Sequence, residues 1–173
     1  LVATLAPIRS LNAPAPGLED VELADLLRDE TVADPTLALE TVNSIADKGP
    51  SCNLEMIAGV NTSEPKIEAK VGSKIKVSGW MFSFPTQSIP VNRYVRVTSD
   101  DGASAWETIV GTRVDRPDIL PWFNIGDWAL NSGFEQEFGL DTLPAGVYHL
   151  RMTYTENGKV YSCDNGRTIT LVP

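Results

Sequence analysis

The chain contains two cysteines, Cys52 and Cys163, and they bracket a run of short segments in which apolar residues recur at every second position. Only one intramolecular pairing is open to them. It would clip the first strand-like segment to the last hairpin across 111 residues, a closure that the chain-entropy account values at about 4 to 5 kcal/mol at most. A bond of this kind implies a compartment outside the reducing cytosol. Two unrelated buried thiols in a cytosolic protein are the alternative reading. Zinc binding and thiol catalysis are not indicated, because there is no Cys-x-x-Cys and only one histidine, His149.

A chain of 173 residues with 42% hydrophobic content can bury one full core and still carry an appended segment. Its net charge of −9 is unevenly spread: residues 1–50 hold nine acidic and three basic side chains, residues 51–173 fourteen and eleven. A field of that sign repels phosphate, so neither nucleic acid nor an anionic lipid surface is an expected partner. No run of eighteen apolar residues exists, so this segment is not expected to insert into a membrane. The chain opens on Leu1-Val2-Ala3-Thr4, without a basic n-region. That opening suggests the mature or excised part of a longer chain, cut after a signal peptide or an anchor.

Two domains of unequal kind are expected. Residues 1–50 form an acidic arm whose first 17 residues, rich in Ala and Pro, read as extended. Two short helices follow. Leu18, Val21, Leu23, Leu26 and Leu27 make an amphipathic stripe from Glu19 to about Arg28; Asp34-Pro35 begins a second, with Leu37, Leu39, Val42 and Ile45 on its apolar side and a stop at Lys48-Gly49-Pro50. Helices this short need a surface, supplied by their own domain, a partner or a second copy.

After Pro50 the apolar period falls from about 3.6 to 2. Nine strands are expected over residues 51–173: Leu54 to Val60, Ile67 to Val71, Lys74 to Phe82, Arg93 to Ser99, Ala105 to Arg113, Gly133 to Leu140, Val147 to Thr155, Val160 to Cys163 and Arg167 to Val172. Asp100-Asp101-Gly102, Leu143-Pro144-Ala145-Gly146, Glu156-Asn157-Gly158 and Asp164-Asn165-Gly166 mark the turns. Many short strands with no intervening helix predict an all-β fold, an Ig-like antiparallel two-sheet β-sandwich with a helical N-terminal arm. Alternation puts Tyr148, Leu150, Met152 and Tyr154 on the core face and His149 on the solvent side. Phe134, Gln136, Phe138 and Leu140 form a second core stripe.

The connection from Arg113 to Gly133 is too long for a tight hairpin and concentrates prolines, tryptophans and charge. Trp122, Phe123 and Trp128 are candidates to stack on a sugar or anchor a protein, with Asn124 and Asp127 supplying hydrogen bonds. The competing structural reading has the aromatics plugging the open end of the sandwich while Arg116 and Asp118 brace the turn.

Four motifs in order, Ser78-Gly79-Trp80, Arg116-Pro117-Asp118-Ile119, Asn131-Ser132-Gly133-Phe134 and Leu143-Pro144-Ala145-Gly146-Val147-Tyr148, resemble the pattern of small bacterial Ig-like modules attached to extracytoplasmic and cell-envelope proteins. The resemblance covers about residues 72–157. It implies a secreted or periplasmic bacterial location and brings no catalytic set with it. The chain departs from the pattern at Met81-Phe82, where a small residue and a polar turn are usual, and in its cysteine pair.

Enzyme templates find little purchase. Asp115, Asp118, Asp127 and Asp141 supply carboxylates for a glycosidase pair, but surface acids at this density arise by chance in any chain that has 23 of them. No Gly-x-Ser-x-Gly elbow or phosphate-cradling glycine loop is present. No cofactor and no metal are expected, Asp100-Asp101-Gly102 being too short for an EF-hand. Asn61-Thr62-Ser63 is a formal glycosylation sequon. The expected function is therefore a non-catalytic binding or scaffolding module, meeting a protein or glycan of the cell envelope. The alternatives are an enzyme or accessory domain acting on envelope polysaccharide, and a structural subunit that assembles into a homo-oligomer through residues 1–50.

Overall fold

The computed structural model describes residues 5–11, 39–42, 45 and 51–173. Their strands are, in chain order, β1 (Leu5–Ala6), β2 (Ile8–Ser10), β3 (Leu39–Thr41), β4 (Cys52–Ile57), β5 (Val60–Asn61), β6 (Glu68–Lys70), β7 (Lys74–Met81), β8 (Arg93–Ser99), β9 (Ala105–Ile109), β10 (Gly133–Gly139), β11 (Gly146–Glu156) and β12 (Lys159–Val172). The first sheet runs β1-β10-β7-β4-β5. The second runs β2-β9-β8-β11-β12, with β3 and β6 on the free side of β12. Pairings are antiparallel except those of β1 with β10 and of β3 and β6 with β12, which are parallel.

The alternation read from sequence explains why two sheets face each other. Tyr148, Leu150, Met152 and Tyr154 are 3% exposed or less, as are Phe134, Gln136, Phe138 and Leu140. With Ile75, Val77 and Met81 from one sheet and Val95 and Val97 from the other they build the main core. The Tyr148 hydroxyl donates to the Pro144 carbonyl at 2.6 Å, fixing the entry to β11, and burial pushes its phenol up. Glu156-Asn157-Gly158 turns β11 into β12, and Asp100-Asp101-Gly102 turns β8 into β9, as their turn chemistry indicates.

Cys52 of β4 and Cys163 of β12 are disulfide-bonded, with Cα atoms 6.3 Å apart, so the bond joins one sheet to the other. Beside it, the Asn165 side-chain amide accepts from the Leu54 N–H at 3.0 Å and donates to the Cys52 carbonyl at 3.1 Å. Arg167 Nε donates to the Leu54 carbonyl and its Nη2 to Asn53 Oδ1. A side-chain ladder thus closes this edge of the sandwich around the covalent bond.

Several expectations need correction. Asp164-Asn165-Gly166 is a bulge inside a continuous β12, because β11 pairs on both sides of it, Met152 with Cys163 and Leu150 with Arg167. The segment expected as one strand from Leu54 to Val60 is a hairpin, with Ala58-Gly59 turning β4 into β5. The strand from Ala105 stops at Ile109 instead of Arg113. Leu39–Thr41, expected within a helix, is a strand beside Val160–Ser162. Within the first 17 residues, expected as an extended linker or docking arm, β1 and β2 extend the two sheets, the chain stepping from one sheet to the other at Pro7. Val42 and Ile45, expected in the same helix as Leu39, are in neither helix nor strand, and the helix expected from Glu19 to Arg28 and the remaining residues of the second lie outside the described residues.

Candidate functional site

The long connection lies over the outer face of the first sheet. Along β7, Ile75, Val77 and Met81 enter the main core, so Trp80, and Phe82 just beyond the strand, point the other way. Onto them folds the segment 114–133, which contains helix α1 (Ile119–Phe123) and a 3-10 turn (Asp127–Ala129). In α1 the residues four apart, Ile119 and Phe123, face the protein and are buried, which turns Trp122 outward. Pro121 fits the first turn, where its missing N–H has no intrahelical partner to lose.

A second core results. Phe82, fully buried, meets Phe123 and Trp128 edge-on and stacks with Trp80, all at 5.5 Å between ring centroids. Such pairs contribute about 0.5 to 1.5 kcal/mol each beyond their area. Met81 fills the main core, while Phe82 centres the aromatic one. The aromatics cover a sheet face; they do not plug the end between the sheets.

The base of the loop is locked. Val114 and Gly133 exchange backbone hydrogen bonds, and the Arg116 N–H donates to the Leu130 carbonyl. The Arg116 side chain then binds two carboxylates: Nη1 and Nη2 reach Glu55 at 2.7 and 3.0 Å, and Nε and Nη2 reach Asp118 at 2.9 and 2.8 Å. Hydrogen bonds to Asp118 first and Glu55 second raise the guanidinium, and its bond holds the Asp118 carboxyl below the usual carboxylate range. Asp118 is thereby unavailable to cap α1, which has no side-chain cap.

Two glycines make this junction possible. A Cβ on Gly133 would stand 2.6 Å from the Val114 carbonyl oxygen and 2.7 Å from Arg116 Cγ. A Cβ on Gly79 would stand 2.0 Å from the Asn53 carbonyl oxygen, where β4 bulges to bring Glu55 toward Arg116. The Gly-Trp, Arg-Pro-Asp and Ser-Gly-Phe motifs thus meet at one place.

Arg93 secures the same junction from the opposite sheet. Only 2% exposed, it donates through Nη1 to the carbonyls of Met81 (3.1 Å) and Ser132 (2.6 Å), and through Nη2 to those of Thr112 (3.1 Å) and Gly133 (3.5 Å). Burial, with a smaller contribution from Arg113, pushes the guanidinium down to about 10, which leaves it charged at neutral pH. Sequence reading passed over Arg93, Glu55, Asn165 and Arg167. For Arg93 a signal existed, because it shares the core-facing parity of Val95 and Val97.

Of the five candidate contact residues, Phe123 is buried and Trp128 is half-buried against Phe82. Trp122 is 62% exposed, and Asn124 and Asp127 are exposed. Asn124 ends α1 in the left-handed conformation (φ 54°). The structure therefore divides the predicted set into an aromatic base and an outward tip of Trp122, Asn124 and Asp127. His149 faces outward and pairs with Asp100 at 2.7 Å. A shallow groove of about 460 Å³ on the β4–β5 side is lined by Asn53, Glu55, Met56, Asn61, Ser78 and Arg167 among others. Among the described residues no three potential metal ligands cluster, and no helix is long and apolar enough to cross a membrane. Comparisons with protein-family models, curated proteins and solved structures return no match for the chain.

Proposed function

We propose that the chain is an Ig-like module of the bacterial cell envelope, acting outside the cytoplasm as a non-catalytic binding or scaffolding unit. Its contact surface is the tip of the segment 114–133, where Trp122, Asn124 and Asp127 meet a glycan or a protein.

The Ig-like reading is supported by strand order. Taken as strands A, B and E, the set β4-β7-β10 faces β12-β11-β8-β9, taken as G, F, C and C′, and β6 runs parallel to the last strand. Tyr148, near the start of the F-like strand, hydrogen-bonds back to Pro144 in the manner of a tyrosine corner. The disulfide differs from the antibody arrangement, since it joins the first and last of these strands instead of the central B and F pair. Its presence is compatible with an oxidising compartment.

The observation that carries the binding role is Trp122. A large aromatic side chain 62% exposed on a segment anchored by Arg116, Arg93 and a buried aromatic base has the features of a recognition anchor: wide apolar area and few degrees of freedom left to lose. Asn124 and Asp127 add hydrogen-bonding groups beside it. The test is binding of the intact chain to isolated envelope polysaccharide and, separately, to envelope proteins. Trp122→Ala should weaken one of these at least several-fold while leaving the thermal midpoint in place. Unchanged binding to both by Trp122→Ala and by Asp127→Ala removes the proposal, and release of soluble fragments from the polysaccharide by the wild type favours the enzymatic alternative.

A further inference from the structure

Two Asn-Gly pairs occur in the chain, and their neighbours match. Glu156-Asn157-Gly158-Lys159 and Asp164-Asn165-Gly166-Arg167 each place an acid before the pair and a base after it. Glycine has no side chain to shield its own backbone nitrogen from the amide carbon of the preceding asparagine, so such pairs are open to cyclisation. In an unfolded chain the two should react alike. The glycines are also alike in the fold, at φ 75° and 72°, with open space where a Cβ would stand. Crowding therefore does not separate the two sites; hydrogen bonding does.

Asn165 is fastened. Its side-chain amide accepts from the Leu54 N–H at 3.0 Å and donates to the Cys52 carbonyl at 3.1 Å, and the Gly166 N–H donates to the Asp164 carboxylate at 2.8 Å. To bring Asn165 Cγ over the Gly166 nitrogen, both amide bonds must break, leaving two backbone groups of β4 without their partner. The nitrogen must also lose its proton, which the Asp164 charge holds in place. Pairing with β11 on both sides of the bulge, together with the disulfide, fixes the backbone around it. Asn157 has none of these restraints. It stands exposed in the two-residue turn between Glu156 and Lys159, and among the described residues neither its side chain nor the Gly158 N–H makes a hydrogen bond.

The chemistry needs only water and hydroxide. Hydroxide removes the Gly158 N–H proton, and the nitrogen lone pair forms a bond to Asn157 Cγ. The Cγ–Nδ2 bond then breaks, and the amide nitrogen leaves as ammonia after taking a proton from water. The product is a five-membered cyclic imide. One water adds to either of its carbonyl carbons: breaking the new Cγ–N bond gives aspartate, and breaking the former peptide bond gives isoaspartate, with the main chain running through Cγ. Nothing is oxidised or reduced.

We propose that Asn157 is a self-modification site, converted through this imide to aspartate and isoaspartate, while the hydrogen-bonded seam on β4 spares the matched Asn165. The two sites bear the change differently. A carboxylate at position 157 enters an exposed turn. A carboxylate at position 165 sets an acceptor against the Cys52 carbonyl where the amide now donates, and so loosens the edge that the disulfide closes. None of this depends on the role assigned to Trp122.

Incubation of the intact, oxidised protein in oxygen-18-labelled water at mildly alkaline pH tests it. Peptide mass spectrometry with electron-transfer fragmentation separates aspartate from isoaspartate, and the label dates each conversion to the incubation. Conversion at Asn157 should run several-fold faster than at Asn165 and yield both products. In urea with the disulfide reduced, the two sites should convert at similar rates. Equal or faster conversion at Asn165 in the folded protein overturns the proposal, as does an Asn157 that stays intact while the unfolded chain reacts. A difference that persists in urea belongs to the sequence and overturns the part given to the fold, and aspartate alone at position 157 overturns the imide route. Asp164→Ala, and reduction of the Cys52–Cys163 bond without urea, should each speed conversion of Asn165 several-fold and leave Asn157 as before. If neither does, the seam is not what spares Asn165.

Discussion

Arg116 and Glu55, 61 residues apart in sequence, are joined by two parallel hydrogen bonds of 2.7 and 3.0 Å. The pair ties the base of the segment 114–133 to the bulge of β4 and so sets where the exposed tip of that segment stands. Charge-assisted hydrogen bonds at a part-buried site contribute about 1.5 to 3 kcal/mol. Arg116→Ala should therefore lower stability by about 2 kcal/mol, and Arg116→Lys should recover less than half of that, because an ammonium cannot span both carboxylates with planar forks. Denaturant midpoints of the two variants measure this. Equal recovery by Lys would reduce the clamp to a simple charge attraction.

The partner on the other side of Arg116 makes the clamp acid-sensitive. The Asp118 carboxyl is held below its ordinary 3.8 by Arg116, so the unfolded chain binds this proton more readily than the folded one. The corresponding stability is fully present above about pH 5 and is lost as pH falls below about 4 through the depressed folded value. Since Asp118 is largely solvent-exposed, the effect is small and screened by salt. The difference in thermal midpoint between wild type and Asp118→Asn should be constant from about pH 5 to 7 and should shrink toward zero near pH 2. A difference that grows on acidification contradicts the sign argued here.

The disulfide and the Asn165 amide act on the same pair of strands, so their contributions should be coupled. With 111 residues in the closed loop, removing the bond by Cys52→Ala/Cys163→Ala should lower stability by about 4 to 5 kcal/mol at most. Asn165→Ala leaves the Leu54 N–H and the Cys52 carbonyl without their side-chain partners, a loss of about 1 to 2 kcal/mol in the oxidised protein. In the cysteine-free background the same substitution should cost less, because without the covalent tether the edge is already free to open to water. A double-mutant cycle by urea denaturation decides this, and strict additivity would mean that the two fastenings work independently.

What sequence could and could not disclose follows from how local each cause is. The core stripe on β11 was legible because one face of the strand is buried throughout, so period-two alternation survives over Tyr148, Leu150, Met152 and Tyr154. Asp164-Asn165-Gly166 was misread because its local chemistry suits a turn and a bulge equally: the Asp164 carboxylate accepts the Gly166 N–H in either setting, and only pairing with β11 on both sides distinguishes them. Glu55 gave no signal at all, since its role depends on a bulge made possible by the missing side chain of Gly79 on the neighbouring strand. Within the candidate loop, the four-residue spacing of Ile119 and Phe123 would have separated the buried ring from the exposed Trp122 had a helix been expected there. The segment expected to be a helix at Leu39 carries its apolar residues at both helical and strand spacings, and pairing with β12 settles the ambiguity.

Arg93 provides the most demanding test of the fold. It is a cation in the core, held by four carbonyl oxygens that belong to β7, to β10 and to the two ends of the connection between β9 and β10. Three of those carbonyls, from Met81, Ser132 and Gly133, lie where the aromatic base meets the first sheet. Arg93→Met keeps much of the volume and the contact with Phe134, but it strands the oxygens away from water, which costs about 1 to 3 kcal/mol for each group left unsatisfied. The expected loss is therefore above about 3 kcal/mol, larger than for Arg116→Ala, even though Arg93→Met relieves the burial of a charge. Hydrogen exchange should also show the segment 114–133 opening in the variant before the β11–β12 pair does, because the lost bonds are concentrated at its base. A variant with wild-type stability and unaltered exchange in that segment would mean that water replaces the guanidinium at these carbonyls, and that the junction is held by the aromatic base alone.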